Sequence, residues 1–329
     1  MSIIPKKLKK GDEIRVIAPS RSMNLLSEET IKIATSRLEE MGFKVTFGKN
    51  VSKVFDKEYF CGTIEDRIED LHNAFKDKNV KAILTVIGGF NVNQILDYID
   101  YNLIKENPKI LCGFSDITAL ANAIYAKTGL VTYSGPHYSS FGMLKGCEYT
   151  IEYFKKMFIE DNEIEITSSK EWSDNHWFTN QENRMMFQNE GMIEVNNGSF
   201  EGTIIGGNLC TLNLLQGTDY MPSDDNLVLF IEDDEMAGKD YTREFDRNLQ
   251  SLLHSLKGKK INGIVVGRAQ VSNKMNIDKW KTIFKTKKEL ENIPIILNAD
   301  FGHTTPIFTF PIGGYAKKID KLIIKSNRW

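Results

Sequence analysis

The first half of the chain alternates short apolar runs with amphipathic stretches. Residues 13–18 (EIRVIA) are rich in β-branched side chains and close at Pro19, which predicts a strand. After Ser27, a candidate N-cap, Ile31, Ala34, Leu38 and Met41 recur at helical spacing, and Gly42 lies just past the end. Residues 43–47 predict another strand. Thr63 and Asp66 form a capping pair for a helix whose buried stripe is Ile64, Ile68, Leu71 and Phe75. Residues 82–87 are continuously apolar and stop at Gly88-Gly89, after which 91–99 turns helical in pattern. Residues 109–112 reach Gly113, turn at Ser115 and continue as a helix to Lys127, and 131–134 add one more strand. Strands that are apolar throughout, separated by helices, predict a doubly wound parallel sheet covered on both faces.

The pattern breaks at about residue 163. From there to about 199 the chain holds Ser, Thr, Asn, Asp and two Trp residues with no clean period. A long ordered connection is expected, since Trp172 and Trp177 argue against disorder. Residues 202–205 then lead into Gly206-Gly207-Asn208 and an apolar helix over 209–215. Further strands are expected at 227–231, 264–266, 293–297 and 321–324, with helices over 241–256 and 279–290. The division expected is an N-terminal nucleophile domain (1–162), a Trp-bearing connecting loop (163–199) and a C-terminal mixed α/β domain (200–329), whose sheet is barrel-like.

Composition narrows the function. With 329 residues, 41% of them apolar, the chain can bury one large or two ordinary cores. A net charge of −2 and a pI near 6.3 argue against a nucleic-acid polymer as partner, which needs a clustered basic face. The Lys6 to Lys10 run is short and no long apolar stretch follows it, so neither a leader nor a membrane anchor is expected. No segment reaches the roughly 18 apolar residues that span a bilayer. Cys61, Cys112, Cys147 and Cys210 are scattered with no C-x-x-C pair, which fits a reduced, cytoplasmic setting.

Candidate chemistry gathers at strand ends, where ligands of parallel sheets sit. A Ser placed between a strand end and a helix start has its hydroxyl lifted clear of the sheet, beside the N–H groups of the first helical turn. Ser115-Asp116 has that placement. It lacks the second Gly of a nucleophile elbow, because Ile117 stands there, and the pair is also an ordinary N-cap, so both readings stay open. Of five His residues, His72 and His254 fall on helices, His176 in the Trp loop and His137 after Gly135-Pro136. His303 is flanked by Gly302 and Thr304-Thr305-Pro306, a backbone shaped to present one side chain. No two His residues have ligand spacing, so no metal site is expected. Glu232 closes a strand on the same face as Val228 and Phe230, where a carboxylate needs a partner. It could instead begin a solvated acidic turn with Asp233, Asp234 and Glu235. Together, Ser115, His303 and Glu232 compose a possible proton relay, with N–H groups at Asp116 and at Gly88 or Gly89 as an oxyanion hole.

Several stretches, in order, resemble the LD-carboxypeptidase family of serine peptidases. They are Pro5 with Gly11-Asp12 and Ile17-Ala18-Pro19-Ser20, Gly88-Gly89-Phe90-Asn91, Gly113-Phe114-Ser115-Asp116, Gly135-Pro136, Gly206-Gly207-Asn208, Phe230-Ile231-Glu232-Asp233, and Gly302-His303 with Pro311-Ile312-Gly313. The resemblance implies a Ser115–His303–Glu232 triad, an oxyanion hole from Gly88, Gly89 and the Asp116 amide, a two-domain fold, a homodimer, and no metal or other cofactor. It also implies a small-molecule substrate of one of two kinds. Some members remove a terminal D-amino acid from a murein tetrapeptide. Immunity-type members cut the amide joining an amino acid to a sulfamoyl or phosphoramidate adenylate, and carry a longer Trp-bearing loop. Residues 172–177 resemble that loop, and residues 88–91 look closer to the immunity type, so the leading expectation is an aminoacyl-nucleotide amidase with Asn91, Trp172 and Trp177 at the substrate. Aromatic faces stack on nucleobases. The two Trp residues could instead be packing anchors over the domain junction. Murein tetrapeptide hydrolysis is the alternative, and a non-catalytic ligand-binding protein the third reading.

Overall fold

The computed structural model describes residues 2–160 and 163–327. In chain order the main elements are β1 (Glu13–Ile17), α1 (Glu28–Glu40), β2 (Lys44–Phe47), α2 (Ile64–Lys76), β3 (Val80–Thr85), α3 (Tyr101–Glu106), β4 (Ile110–Gly113), α4 (Ile117–Thr128), β5 (Thr132–Ser134) and α5 (Glu148–Phe158). There follow β6 (Ile164–Glu165), β7 (Glu171–Trp172), β8 (Phe187–Gln188), β9 (Ile193–Asn196), β10 (Phe200–Asn208), α6 (Leu209–Asn213), β11 (Asn226–Glu232) and α7 (Tyr241–Ser255). The chain ends in β12 (Lys260–Gly267), α8 (Ile277–Lys285), β13 (Ile295–Ala299), β14 (Phe310–Ile312), β15 (Tyr315–Lys318) and β16 (Leu322–Lys325).

Local signals fix the helix starts. Ser27 accepts the Thr30 amide at the head of α1, and Thr63 and Asp66 exchange both bonds of a capping box at the head of α2. Where helix was expected over 91–99 the chain forms a 3₁₀ segment, Val92–Tyr98, and Asp116 rather than a local cap takes the amides at its start. The helix expected over 279–290 stops at Lys285 and resumes as a 3₁₀ turn at Lys288–Leu290.

Strands β2, β1, β3, β4 and β5 form a parallel sheet, and β14 joins its edge antiparallel to β5. The second sheet runs β6-β16-β15-β10-β11-β12-β13-β9, parallel from β10 to β13 and antiparallel toward both edges. The stretch expected as a connection over 163–199 thus supplies an edge strand at each end of this sheet, plus the small β7–β8 hairpin. The expected boundary at 162 falls at residues 161 and 162, outside the described residues.

The two sheets share a core. Phe310 of the first sheet lies 4.9 Å from Phe230 of the second, and Phe301 lies 5.1 Å from Phe310. The Gly206-Gly207 pair lets the sheets approach. A Cβ on Gly207 would stand 2.4 Å from Thr118 Oγ1 of α4, and Asn122 of the same helix donates to Gly206 O at 2.8 Å. The carboxyl ends of β4, β10 and β11 therefore come close together. Among the described residues no helix is long and apolar enough to cross a membrane.

Candidate active site

Ser115 sits between β4 and α4 with φ +59°, a left-handed conformation that a residue with a Cβ rarely adopts. Neither Ser115 nor Asp116 caps α4 through its side chain. The backbone is an elbow and not a plain cap, so the choice left open by the sequence falls to the strained turn. Gly113, Gly88 and the start of α4 leave room for it. A Cβ on Gly88 would lie 3.0 Å from Ser115 Oγ, so the bare Gly88 backbone covers the hydroxyl directly.

Ser115 Oγ is 3.0 Å from His303 Nε2, and His303 Nδ1 is 2.7 Å from Glu232 Oε2. Three distant parts of the chain therefore join in one line of hydrogen bonds. Gly302 makes this possible: at φ +96° it brings the loop onto Glu232 so closely that a Cβ would fall 2.4 Å from the Glu232 Cγ. Glu232 is 2% exposed and is no part of a solvated turn. Its other oxygen faces Asn208 Nδ2 at 3.5 Å, and Asn208 also donates to Asp233 Oδ1 at 3.1 Å. Asn208 stands opposite Glu232 in the β10–β11 register, a placement the Gly-Gly-Asn motif carries but which its spacing alone does not reveal.

Comparison with known proteins agrees with this architecture. The sequence model of the LD-carboxypeptidase N-terminal domain matches residues 14–135, and that of the C-terminal domain matches residues 201–317. The chain belongs to the LD-carboxypeptidase family. It is accordingly a carboxypeptidase of the serine type. It is 53% identical to YocD of Bacillus subtilis, named as a carboxypeptidase, over 98% of each chain. To the microcin C7 self-immunity protein MccF of Escherichia coli it is 30% identical, over 92% of this chain and 89% of that one. A crystal structure of an MccF-like protein from Bacillus anthracis superposes with a TM-score of 0.96 at 50% identity, covering 99% and 100% of the two chains. MccF in complex with glutamyl sulfamoyl guanosine gives a TM-score of 0.85 at 29% identity, covering 99% and 98%.

In this LD-carboxypeptidase the imidazole of His303 carries a pKa raised to about 9: burial works against its charge, but the adjacent Glu232 carboxylate, with Asp234 and Asp233 behind it, prevails. Asp233 is itself raised to about 7 by burial and by the charges of Glu232 and Asp234. Asp116 has a second part beyond its amide. Its Oδ2 accepts from Ser20 Oγ at 2.6 Å, from the Asn91 amide at 2.9 Å and from the Val92 amide at 3.0 Å. The Gly88–Asn91 loop is thereby clasped to the elbow. Burial raises the Asp116 pKa against those three donors.

One sequence expectation changes here. Asn91, expected at the substrate, is 1% exposed, with its side chain on Cys61 Sγ at 3.1 Å and near Ser20 Oγ at 3.4 Å. It braces the loop from inside. Trp172, expected at the substrate, is half-buried, with the Phe187 ring 4.9 Å and the Arg268 guanidinium 4.9 Å from its own ring. Its hairpin is nonetheless tied to the active-site loop, since Ser173 and Thr305 exchange backbone bonds of 2.7 and 2.8 Å. Trp177 lies further along, half-buried, edge-on to Phe178. A Cβ on Gly89 would meet Ser20 and Arg21.

A second imidazole lies under the elbow. His137 is 2% exposed, its Nδ1 is 2.7 Å from Thr85 Oγ1, and its Nε2 has no hydrogen-bond partner among the described residues. The sequence places it in a loop and assigns it no role. The Gly135-Pro136 pair before it was the available signal.

Proposed function

We propose that this chain hydrolyses the amide of aminoacyl-nucleotide compounds, of the aminoacyl-sulfamoyl or phosphoramidate adenylate class, in self-immunity or detoxification. The observation that carries the hydrolytic part is the unbroken line from Ser115 Oγ through His303 to Glu232. Ser115 attacks the scissile carbonyl while His303 Nε2 takes its proton, and Glu232 holds the tautomer and stabilises the imidazolium. The Asp116 and Gly88 amides receive the oxyanion, with Gly89 shaping their loop. His303 then returns the proton to the leaving nitrogen, and water, activated by the same imidazole, releases the acyl group. The nucleotide part is supported by likeness to MccF bound to aminoacyl sulfamoyl nucleosides and by the Trp hairpin fastened beside His303. Trp177 is the residue we assign to the nucleobase face.

A murein tetrapeptide substrate is the second reading. It is favoured by 32% identity, over 95% of this chain, to a Bacillus subtilis protein named as a probable murein peptide carboxypeptidase. Incubation with an aminoacyl sulfamoyl adenosine and, separately, with a murein tetrapeptide decides between them by mass spectrometry of the released amino acid. Release from the first is expected; release only from the second overturns the nucleotide reading. We also take the enzyme to act in the cytoplasm as a homodimer, which sedimentation at micromolar concentration tests for the assembly.

A further inference from the structure

The two substrate classes share one feature that the triad does not address. On the leaving side of the scissile amide a peptide with a free C-terminus carries a carboxylate, and an aminoacyl adenylate carries an acidic sulfamoyl or phosphoryl linkage. A charge taken out of water next to the oxyanion loop needs a cation there.

Arg21 stands beside the Gly88-Gly89 loop. It follows Pro19-Ser20 beyond the carboxyl end of β1, and its Nε donates to Gly88 O at 3.3 Å. Gly88 is the residue that lies against the Ser115 hydroxyl. The Arg21 stem crosses Gly89, where a Cβ would fall 3.0 Å from Arg21 Cγ and 2.3 Å from Ser20 Oγ. Gly89 is bare because the arginine lies over it. The turn is pinned on both sides, by the 2.6 Å bond from Ser20 to Asp116 and by the Ser22 amide on Phe60 O at 2.9 Å. The side chain is half-buried. Among the described residues its guanidinium forms no ion pair, whereas the buried Arg268 is paired with Asp300 at 3.0 Å. A fixed, partly desolvated and uncompensated guanidinium beside the oxyanion loop is the chemistry that receives a carboxylate, sulfamoyl or phosphoryl oxygen.

We propose that Arg21 forms an anion subsite, receiving the negative group on the leaving side of the scissile amide and making an anionic leaving group a requirement of this enzyme. This rests on the carboxypeptidase chemistry above but not on which of the two substrates is physiological.

The test compares Arg21→Ala and Arg21→Lys with the parent on two matched pairs: an aminoacyl sulfamoyl adenosine against the corresponding neutral aminoacyl amide, and a tetrapeptide with a free C-terminus against its C-terminal amide. The readout is the ratio of kcat/KM, anionic over neutral. In whichever pair the parent turns over, the ratio is expected to fall about tenfold to a hundredfold in Arg21→Ala and to be partly restored in Arg21→Lys. An unchanged ratio, whatever the absolute loss, overturns the proposal and leaves Arg21 as a brace for Gly88. Which pair is turned over decides the substrate reading separately. If the parent cleaves neither, calorimetric binding of both anionic compounds to Ser115→Ala replaces turnover. Equal affinity with and without Arg21, or no binding of either, then overturns the subsite.

Discussion

Two histidines flank the ring of Phe114, His137 at 4.3 Å and His303 at 5.6 Å, and they have been driven in opposite directions. His303 faces a buried carboxylate and has its pKa raised to about 9. His137, sealed under the elbow with only a threonine hydroxyl for company, is pushed down to about 3, by burial first and then by the charges of His303 and Arg21. The same side chain is thus a candidate base on one side of a ring and a permanently neutral prop on the other. The difference lies in Glu232: without a counter-charge, burial prevails. Titratable groups pushed apart in this way are what acid–base sites are built from.

The largest effect expected from breaking this comparison is at its charged side. His303→Ala should lower kcat by about 10⁴-fold or more, since triad members act as a unit. A loss under tenfold would place the base elsewhere. Glu232→Gln comes next, at roughly 10³–10⁴-fold, with a second signature that a structural role would not produce. In the parent, kcat/KM should climb with pH toward about 9, because His303 accepts a proton only when neutral. Removing the carboxylate removes the main cause of the raised value, so the acid limb should move to lower pH. A limb that stays in place in Glu232→Gln would show that a different group titrates.

Gly88→Ala should follow at about 10²–10³-fold in kcat, the size of one oxyanion donor. The added Cβ stands 2.9 Å from Ser115 Cβ, so loop or nucleophile must move. Gly89→Ala acts on the other side of the same loop, against Ser20 and Arg21. It should therefore change substrate preference more than it changes kcat on a neutral amide, and an equal loss in both would merge the two glycines into one role.

How much of this could be read in the sequence depends on how local each signal is. Strands β3, β4 and β11 contain unbroken apolar runs of three to five residues, long enough to show themselves. His303 announced itself through Gly302 on one side and the Thr-Thr-Pro turn on the other. What stayed hidden depends on partners far away in the chain. His137 takes its meaning from Thr85, 52 positions earlier. The Asp116 carboxylate works on amides 24 and 25 positions earlier, which no helix-start rule anticipates. Asn91 is expected at the substrate from the resemblance of residues 88–91 to the immunity type, but its side chain turns inward onto Cys61. Strands such as β6 and β7 are two residues long and have no period to detect. Trp172 is legible as an aromatic, but its contacts with Phe187 and Arg268 are not.

The smallest expected effect on rate, and the one that separates the two imidazoles most cleanly, comes from His137→Asn. An imidazole held neutral in the fold but free to protonate when unfolded, near pH 6.5, stabilises the protein above that pH, and the benefit is lost as pH falls toward about 3. His303 has the opposite sign: its contribution is complete below about 6.5 and is lost as pH rises through about 9. The two windows do not overlap. Between pH 6.5 and 5 the parent should lose about 1.6 kcal/mol through His137 alone, the slope rising to roughly 1.4 kcal/mol per pH unit only below the unfolded pKa. Denaturant unfolding of His137→Asn should therefore show a shallower fall in stability over that interval than the parent, although its stability at pH 7 is lower for the lost packing. Its kcat/KM acid limb should stay where the parent's lies, since an imidazole held neutral puts no charge beside His303. Parallel stability curves below pH 6.5 would mean that His137 is already protonated in the fold, and the contrast across Phe114 would then be one of position and not of charge.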